Sequence, residues 1–201
     1  MSILTSKNPY TNEINATFET ISDAELISKI EQAEHAYHNR RHTSWSERKS
    51  LFLRLADILE RDIEHHAKLE TIEMWRLYGI AVSGMKGTIN LIRRFANNAE
   101  NILSNEPITD EWLTWHIQYD PIGVIYGIAP WNFPYNQLLR AAVPNIIAWN
   151  TQVYKHASNV PLCAQAIETL FIEAWFPVGV YTNLFMSSSQ SELVISHQAI
   201  K

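Results

Sequence analysis

The sequence predicts an α/β fold in which part of a doubly wound parallel sheet stands behind an N-terminal helical segment. Three observations predict it. An apolar β-type run, Val124 to Ile128, leads into a loop bounded by prolines, Ala129-Pro130-Trp131-Asn132-Phe133-Pro134, then a helix, then a second β-type run, Thr151 to Tyr154. That order is a βαβ unit, whose two strands lie parallel and whose ligands collect at their carboxyl ends. Before it, about a hundred residues repeat apolar side chains at helical spacing. A third β-type run, Val180 to Met186, follows another helical stretch, as alternation of strand and helix requires.

Taken in order, residues 3 to 20 read as an extended lead-in, with Asn8-Pro9-Tyr10-Thr11-Asn12 supplying turn chemistry. Ser22-Asp23-Ala24-Glu25 is a capping box that starts a helix burying Leu26, Ile30, Ala33 and Tyr37. A second helix begins near Ser46 and carries Phe52, Leu55, Leu59 and Ile63, with a third segment around Leu69, Ile72 and Met74. A fourth runs from about Met85 to Leu103. Ile108 to Tyr119 changes character: Trp112, Trp115, Ile117 and Tyr119 predict a half-buried strand. A helix from Asn159 to Trp175 is stopped by Phe176-Pro177, Gly179 turns the chain, and Ser187 to Gln190 cap a last helix reaching Lys201. The expected division is 1–103 helical, 104–120 a β segment, and 121–201 a partial dinucleotide-binding unit.

With 46% apolar residues in 201, the chain can build a core. A net charge of -5, with lysines and arginines scattered singly, offers no field for nucleic acid. Neither a signal peptide nor a membrane span is legible, so the expected address is the cytoplasm. A single cysteine, Cys163, cannot form an internal disulfide and agrees with a reducing compartment. Six glycines are few for an α/β chain that must turn tightly.

Two histidine groupings are candidate metal ligands. His35, His38 and His42 can share a helix face, and His65 and His66 are adjacent. No carboxylate or cysteine stands at ligand spacing beside them, so they read as histidines on solvated helices and no metal is expected.

Pro130-Trp131-Asn132-Phe133-Pro134, Lys155 at the end of the next strand and Gly179-Val180 after Phe176-Pro177 together resemble the aldehyde dehydrogenase superfamily. The run Lys155 to Pro161, KHASNVP, is most similar to bacterial succinate-semialdehyde dehydrogenases within it. The resemblance is strong from Pro121 to Val180 and weak before Leu69. It implies a Rossmann-like cofactor domain and an NAD(P)-dependent oxidation of an aldehyde to its acid. It further implies that Asn132 donates to the oxyanion, that Ile128, Ala129, Pro130 and Trp131 face the nicotinamide half, and that Lys155 and Ser158 hold the adenine ribose. Ser158 stands where NAD-preferring members commonly carry glutamate, and a serine leaves room for the 2′-phosphate of NADP. In the family, the aromatic segment near Trp112 to Tyr119 belongs to an oligomerisation hairpin; from the residues alone, packing within its own domain is equally open.

Cys163 sits in a helix of apolar periodicity with no basic neighbour in sequence, which suits a structural thiol better than a nucleophile. The family's nucleophile and catalytic glutamate belong to later segments. The expectation is therefore a truncated enzyme, inactive alone, with weak or absent NAD or NADP binding. Its alternative is a non-catalytic remnant that binds dinucleotide weakly or associates with full-length relatives or with its own kind. Trp75, Trp149 and Trp175 stand where relatives usually have glycine, which favours the remnant.

Overall fold

The computed structural model describes residues 2–109 and 113–201. Strands β1 (Ile3–Lys7) and β2 (Ile14–Glu19) pair antiparallel, with a bulge at Ser6/Lys7. The lead-in is thus a hairpin rather than a single extended stretch. Asn8 makes its turn: the side-chain oxygen accepts the Tyr10 amide at 2.9 Å, and Asn12 closes it at φ 63°.

Four helices follow, α1 (Asp23–Arg40), α2 (Trp45–Arg61), α3 (Ile63–Met74) and α4 (Tyr78–Ile102). The Ser22 capping box forms as its sequence requires, with both reciprocal bonds present. Helix α2 is capped by Ser44, two residues earlier than expected, and α4 starts at Tyr78 rather than near Met85. The early start escapes a periodicity reading because Gly79, Gly84 and Gly87 thin the apolar stripe.

The segment after α4 holds two short strands, β3 (Glu106–Thr109) and β4 (Thr114–Ile117), paired antiparallel and exposed at every position. The expectation of one half-buried strand is corrected. Alternation of aromatic and polar residues marked β structure, but nothing within the described chain covers either face. Trp112 lies outside the described residues.

The three-stranded sheet is parallel, in the order β5 (Val124–Ala129), β6 (Thr151–His156), β7 (Tyr181–Asn183), with α5 (Pro134–Ile147) and α6 (Pro161–Glu173) as crossovers. One face carries Val124 and Val153 and packs on Leu26 and Ile30 of α1 and on Val194 of α7 (Ser191–Ile195). The opposite face, with Ala129, Tyr154 and Tyr181, joins α5, α6, α2 and α4 in the larger core. The chain's last stretch is not one helix: a 3₁₀ turn, Ser188–Gln190, precedes α7, and Ile200 then bridges Val124 in parallel. β7 is also shorter than its apolar run: the Leu184 amide makes the last bond to β6, at the Tyr154 carbonyl, and Leu184 and Met186 fill the α1-side core.

Candidate active site

The proline-bounded loop leaves β5 at its carboxyl end and enters α5, with Pro134 at the first helical turn, where a missing N–H costs nothing. Asn132 is half-buried between Trp131, 53% exposed, and Phe133, 39% exposed. Its side chain makes no hydrogen bond among the described residues, so both amide protons are uncommitted. Phe133 is held from beneath by the Arg76 guanidinium, 4.0 Å from the ring centre.

Register places Ile128 beside Lys155 and Ala129 beside His156 across β5 and β6. The loop and the lysine therefore emerge side by side. Lys155 is 7% exposed, burial lowers its pKa, and its ammonium donates to the His156 carbonyl at 3.3 Å. Ser158 and Asn159 follow, both exposed, with no carboxylate between Lys155 and Asn159. Ile128 is 63% exposed, while Ala129 is buried.

Strand β6 is packed closely behind these groups. A Cβ on Gly127 would sit 2.2 Å from Cζ of Tyr154, so the ring of one strand occupies the side-chain space of the other. His156 is buried and shares a hydrogen bond with the Tyr181 hydroxyl at 3.1 Å through Nε2; burial pushes its pKa down to about 3. His66, expected on a solvated surface, is instead 4% exposed and bonded through Nδ1 to the Tyr135 hydroxyl at 2.8 Å. Burial drives it down to about 4. Its partner comes from α5, 69 residues downstream, which no local pattern announces. Among the described residues, no group of three or more His, Cys, Asp or Glu could hold a metal ion. Among the described residues, no helix is long and apolar enough to cross a membrane.

Two glutamates of α3 that the sequence did not single out close the site from below. Glu73, 2% exposed, accepts the backbone amides of Leu162 and Cys163, each at 2.8 Å, and so caps α6, which has no cap of its own. Glu70, also 2% exposed, pairs with Arg76 at 3.2 Å and stands near the Tyr135 backbone N–H at the start of α5, which pulls its pKa down against burial. A carboxylate thus caps α6, and a second stands beside the first turn of α5. A dinucleotide fits this surface only in part: Lys155 and Ser158 could meet hydroxyls, but α6 offers no free N-terminus to a phosphate. Cys163 lies in the first turn of α6, fully buried, with burial and Glu73 raising its pKa. No reactive thiol is built there.

The family model described as the aldehyde dehydrogenase family matches residues 2–201. A probable succinate-semialdehyde dehydrogenase [NADP(+)] of Synechocystis is 34% identical over 194 residues, 96% of this chain and 43% of the relative. Its counterpart from Deinococcus radiodurans is 33% identical over 194 residues, with 96% and 41% covered. The solved succinic semialdehyde dehydrogenase of Streptococcus pyogenes, in complex with NADP+, superimposes with a TM-score of 0.95 at 33% identity. That superposition covers 98% of this chain and 44% of the other. The chain spans less than half the length of these relatives.

Proposed function

The chain belongs to the aldehyde dehydrogenase family, and from that premise we propose that it is the N-terminal, cofactor-handling part of an NAD(P)-dependent oxidation of an aldehyde, with succinate semialdehyde as the substrate to test first. The observation that carries the reading is the juxtaposition of an uncommitted Asn132 amide with Lys155 at the carboxyl edge of one parallel sheet. Asn132 would donate to the carbonyl oxygen as it gains charge. Lys155 and Ser158 would hold the adenine ribose, and the backbone from Ile128 through Ala129 and Pro130 to Trp131 would line the nicotinamide half. A bound nicotinamide supplies the hydride acceptor.

The thiol that attacks the aldehyde is not among these 201 residues, since Cys163 is the one thiol and is buried. These residues alone are therefore inactive and bind dinucleotide weakly. With no carboxylate beside Ser158, the ribose site tolerates a 2′-phosphate. Calorimetric titration of the chain with NADP+ and NAD+ tests this. Ser158→Glu is expected to weaken NADP+ more than NAD+, and equal weakening of both refutes the assignment. Complementation with a polypeptide that supplies the remaining length of a relative tests the oxidation itself. Asn132→Ala should then lower kcat about 100-fold or more.

A second reading draws support from the β3–β4 hairpin, where Ile108, Trp115 and Ile117 stand exposed with no cover. It makes the chain a non-catalytic associate of its own kind or of full-length relatives. Sedimentation decides: a monomer that ignores a full-length relative counts against it.

A further inference from the structure

The loop that carries Asn132 is bound at two points to one feature outside the βαβ unit, the C-terminal turn of α3 and the residues just past it. Glu70 accepts the Arg76 Nη1 proton at 3.2 Å and lies close enough to the Tyr135 backbone N–H, three residues after Asn132, for it to pull the carboxyl's pKa down. Arg76 turns back under the loop, its guanidinium 4.0 Å from the centre of the Phe133 ring, the residue next to Asn132. The pair is nearly dry, with side-chain exposures of 10% for Arg76 and 3% for Glu70. Gly84 of α4 leaves the space: a Cβ there would stand 3.2 Å from an Arg76 guanidinium nitrogen.

We propose that Glu70 and Arg76 form a clamp that sets the position of the Asn132 amide, Glu70 fixing the helix end of the loop and Arg76 fixing the ring beside the donor. They are positioning residues, acting through Phe133 and Tyr135 rather than on any reactant. This rests on the reading of Asn132 as the oxyanion donor. The geometry favours a positioning role over simple stabilisation because both contacts fall within three residues after the donor, on Phe133 and Tyr135. A buried carboxylate whose one charged partner is stacked on an aromatic ring is also sensitive to its own ionisation. Burial raises Glu70 to about 7, against the opposing pulls of Arg76 and the Tyr135 amide. The other titratable groups facing it are Glu73 one turn along α3, the Tyr135 hydroxyl with His66 bonded to it, and Cys163 in α6. Burial pushes the Tyr135 hydroxyl and the Cys163 thiol up and His66 down, so a loop transition near neutrality is assigned to Glu70 and is tested by its removal.

Nuclear magnetic resonance on the full 201-residue chain tests the clamp. The probes are the Trp131 indole N–H and the Asn132 side-chain amide, with the Leu162 and Cys163 amides as controls bound to Glu73 instead. In the wild type the Trp131 and Asn132 signals should titrate together with a midpoint near pH 7 while the controls stay fixed. In Glu70→Gln the titration should vanish and amide exchange at Phe133 and Tyr135 should rise about tenfold, as loss of one charge-assisted hydrogen bond implies. Should Glu70→Gln fail to fold, Arg76→Lys replaces it: the cation is kept but the planar stack is lost. That variant should retain the titration and loosen the loop. Loop signals that ignore pH in the wild type, or that titrate unchanged in Glu70→Gln, overturn the proposal. The two readings fail separately. Full kcat for Asn132→Ala in the complemented enzyme would remove the oxyanion role while leaving the loop titration in place.

Discussion

Trp75, Trp149 and Trp175 all stand in the left-handed region, at φ 54°, 70° and 68°, each just past the end of a helix. The hydrogen bonds around them are those of helix C-terminal motifs: Asn150 N–H reaches the Asn145 carbonyl and Phe176 N–H the Phe171 carbonyl. Such positions suit glycine, and a side chain there costs about 1–2 kcal/mol. Replacing each tryptophan by glycine releases that cost but frees the unfolded chain, which takes back about 0.4–1 kcal/mol. The contacts then decide the sign. Trp75 is 63% exposed beside Tyr10, and Trp175 is 71% exposed over Arg54, so little is lost at either. Trp149 is different. Arg48 stacks on it at 3.3 Å, Trp45 meets it edge-on at 4.3 Å, and its indole N–H donates to the Thr43 carbonyl at 3.2 Å. Together these are worth about 2–4 kcal/mol. Trp75→Gly and Trp175→Gly should therefore be neutral or stabilising by up to about 1 kcal/mol, and Trp149→Gly should destabilise by about 1–3 kcal/mol. Urea unfolding followed by circular dichroism measures this, with alanine at each site as the control. Alanine keeps the backbone cost and loses the contacts, so it should fall below glycine by about 1 kcal/mol at all three. Alanine equal to glycine at positions 75 and 175 would show that backbone conformation is not what these sites demand.

Other outcomes follow from the buried groups. His66 and His156 have folded pKa values near 4 and 3 against an ordinary 6.5, so the unfolded chain binds protons first and stability falls as pH drops below 6.5. Each histidine should contribute about 2–3 kcal/mol of loss by about pH 4.5. Glu70, raised to about 7, opposes this over part of the window, so the quantity to measure is the flattening of the pH–stability curve in His156→Phe. Gly127→Ala should destabilise by about 3 kcal/mol or more, and Tyr154→Leu in the same chain should recover much of it, because the clash is with that ring. Glu73→Ala should cost about 2–3 kcal/mol by uncapping α6, and a thiol reagent should then label Cys163, which is inert in the wild type.

The βαβ unit was legible because its apolar runs and its two prolines each admit few structures. Local chemistry was equally open at the Ser22 capping box, while the left-handed backbone at the three tryptophans showed only through the glycines that relatives carry there. What could not be read depended on partners far away in sequence. His66 looks like a surface histidine until Tyr135 is folded against it, and the roles of Glu70 and Glu73 exist only because amides at 135, 162 and 163 arrive at α3. The turn at Asn8 to Asn12 was legible, but the pairing of the two N-terminal strands was not, because the face of Leu4, Ala16 and Phe18 is short and finds its partner at Phe185, far along the chain. The aromatic segment near Trp115 announced β structure truthfully but said nothing of what, if anything, lies against it. Arg40 is buried with no hydrogen bond at its three guanidinium nitrogens among the described residues, and it is held instead over the Phe176 ring, 5.7 Å from its centre, with the Glu47 charge opposing its desolvation.

The placement of Glu70 and Glu73 bears on what kind of cofactor surface this is. In a parallel α/β sheet the N-termini of the crossover helices are the natural seats for phosphate, since unpaired amides and the helix dipole favour negative charge there. Here Glu73 of α3 caps α6 and Glu70 stands beside the first turn of α5, both sealed from solvent. A phosphate approaching α6 would meet an anion already bonded to the amides it needs, and one approaching α5 would meet a second carboxyl group. Exchange would require moving a buried glutamate, one of them paired with an arginine that supports the Asn132 loop. On the proposed reading Lys155 and Ser158 would take the ribose end and the loop the reacting end, so the phosphates would be held by groups outside both crossovers. A surface divided in this way holds a dinucleotide firmly only when another element bridges its two ends.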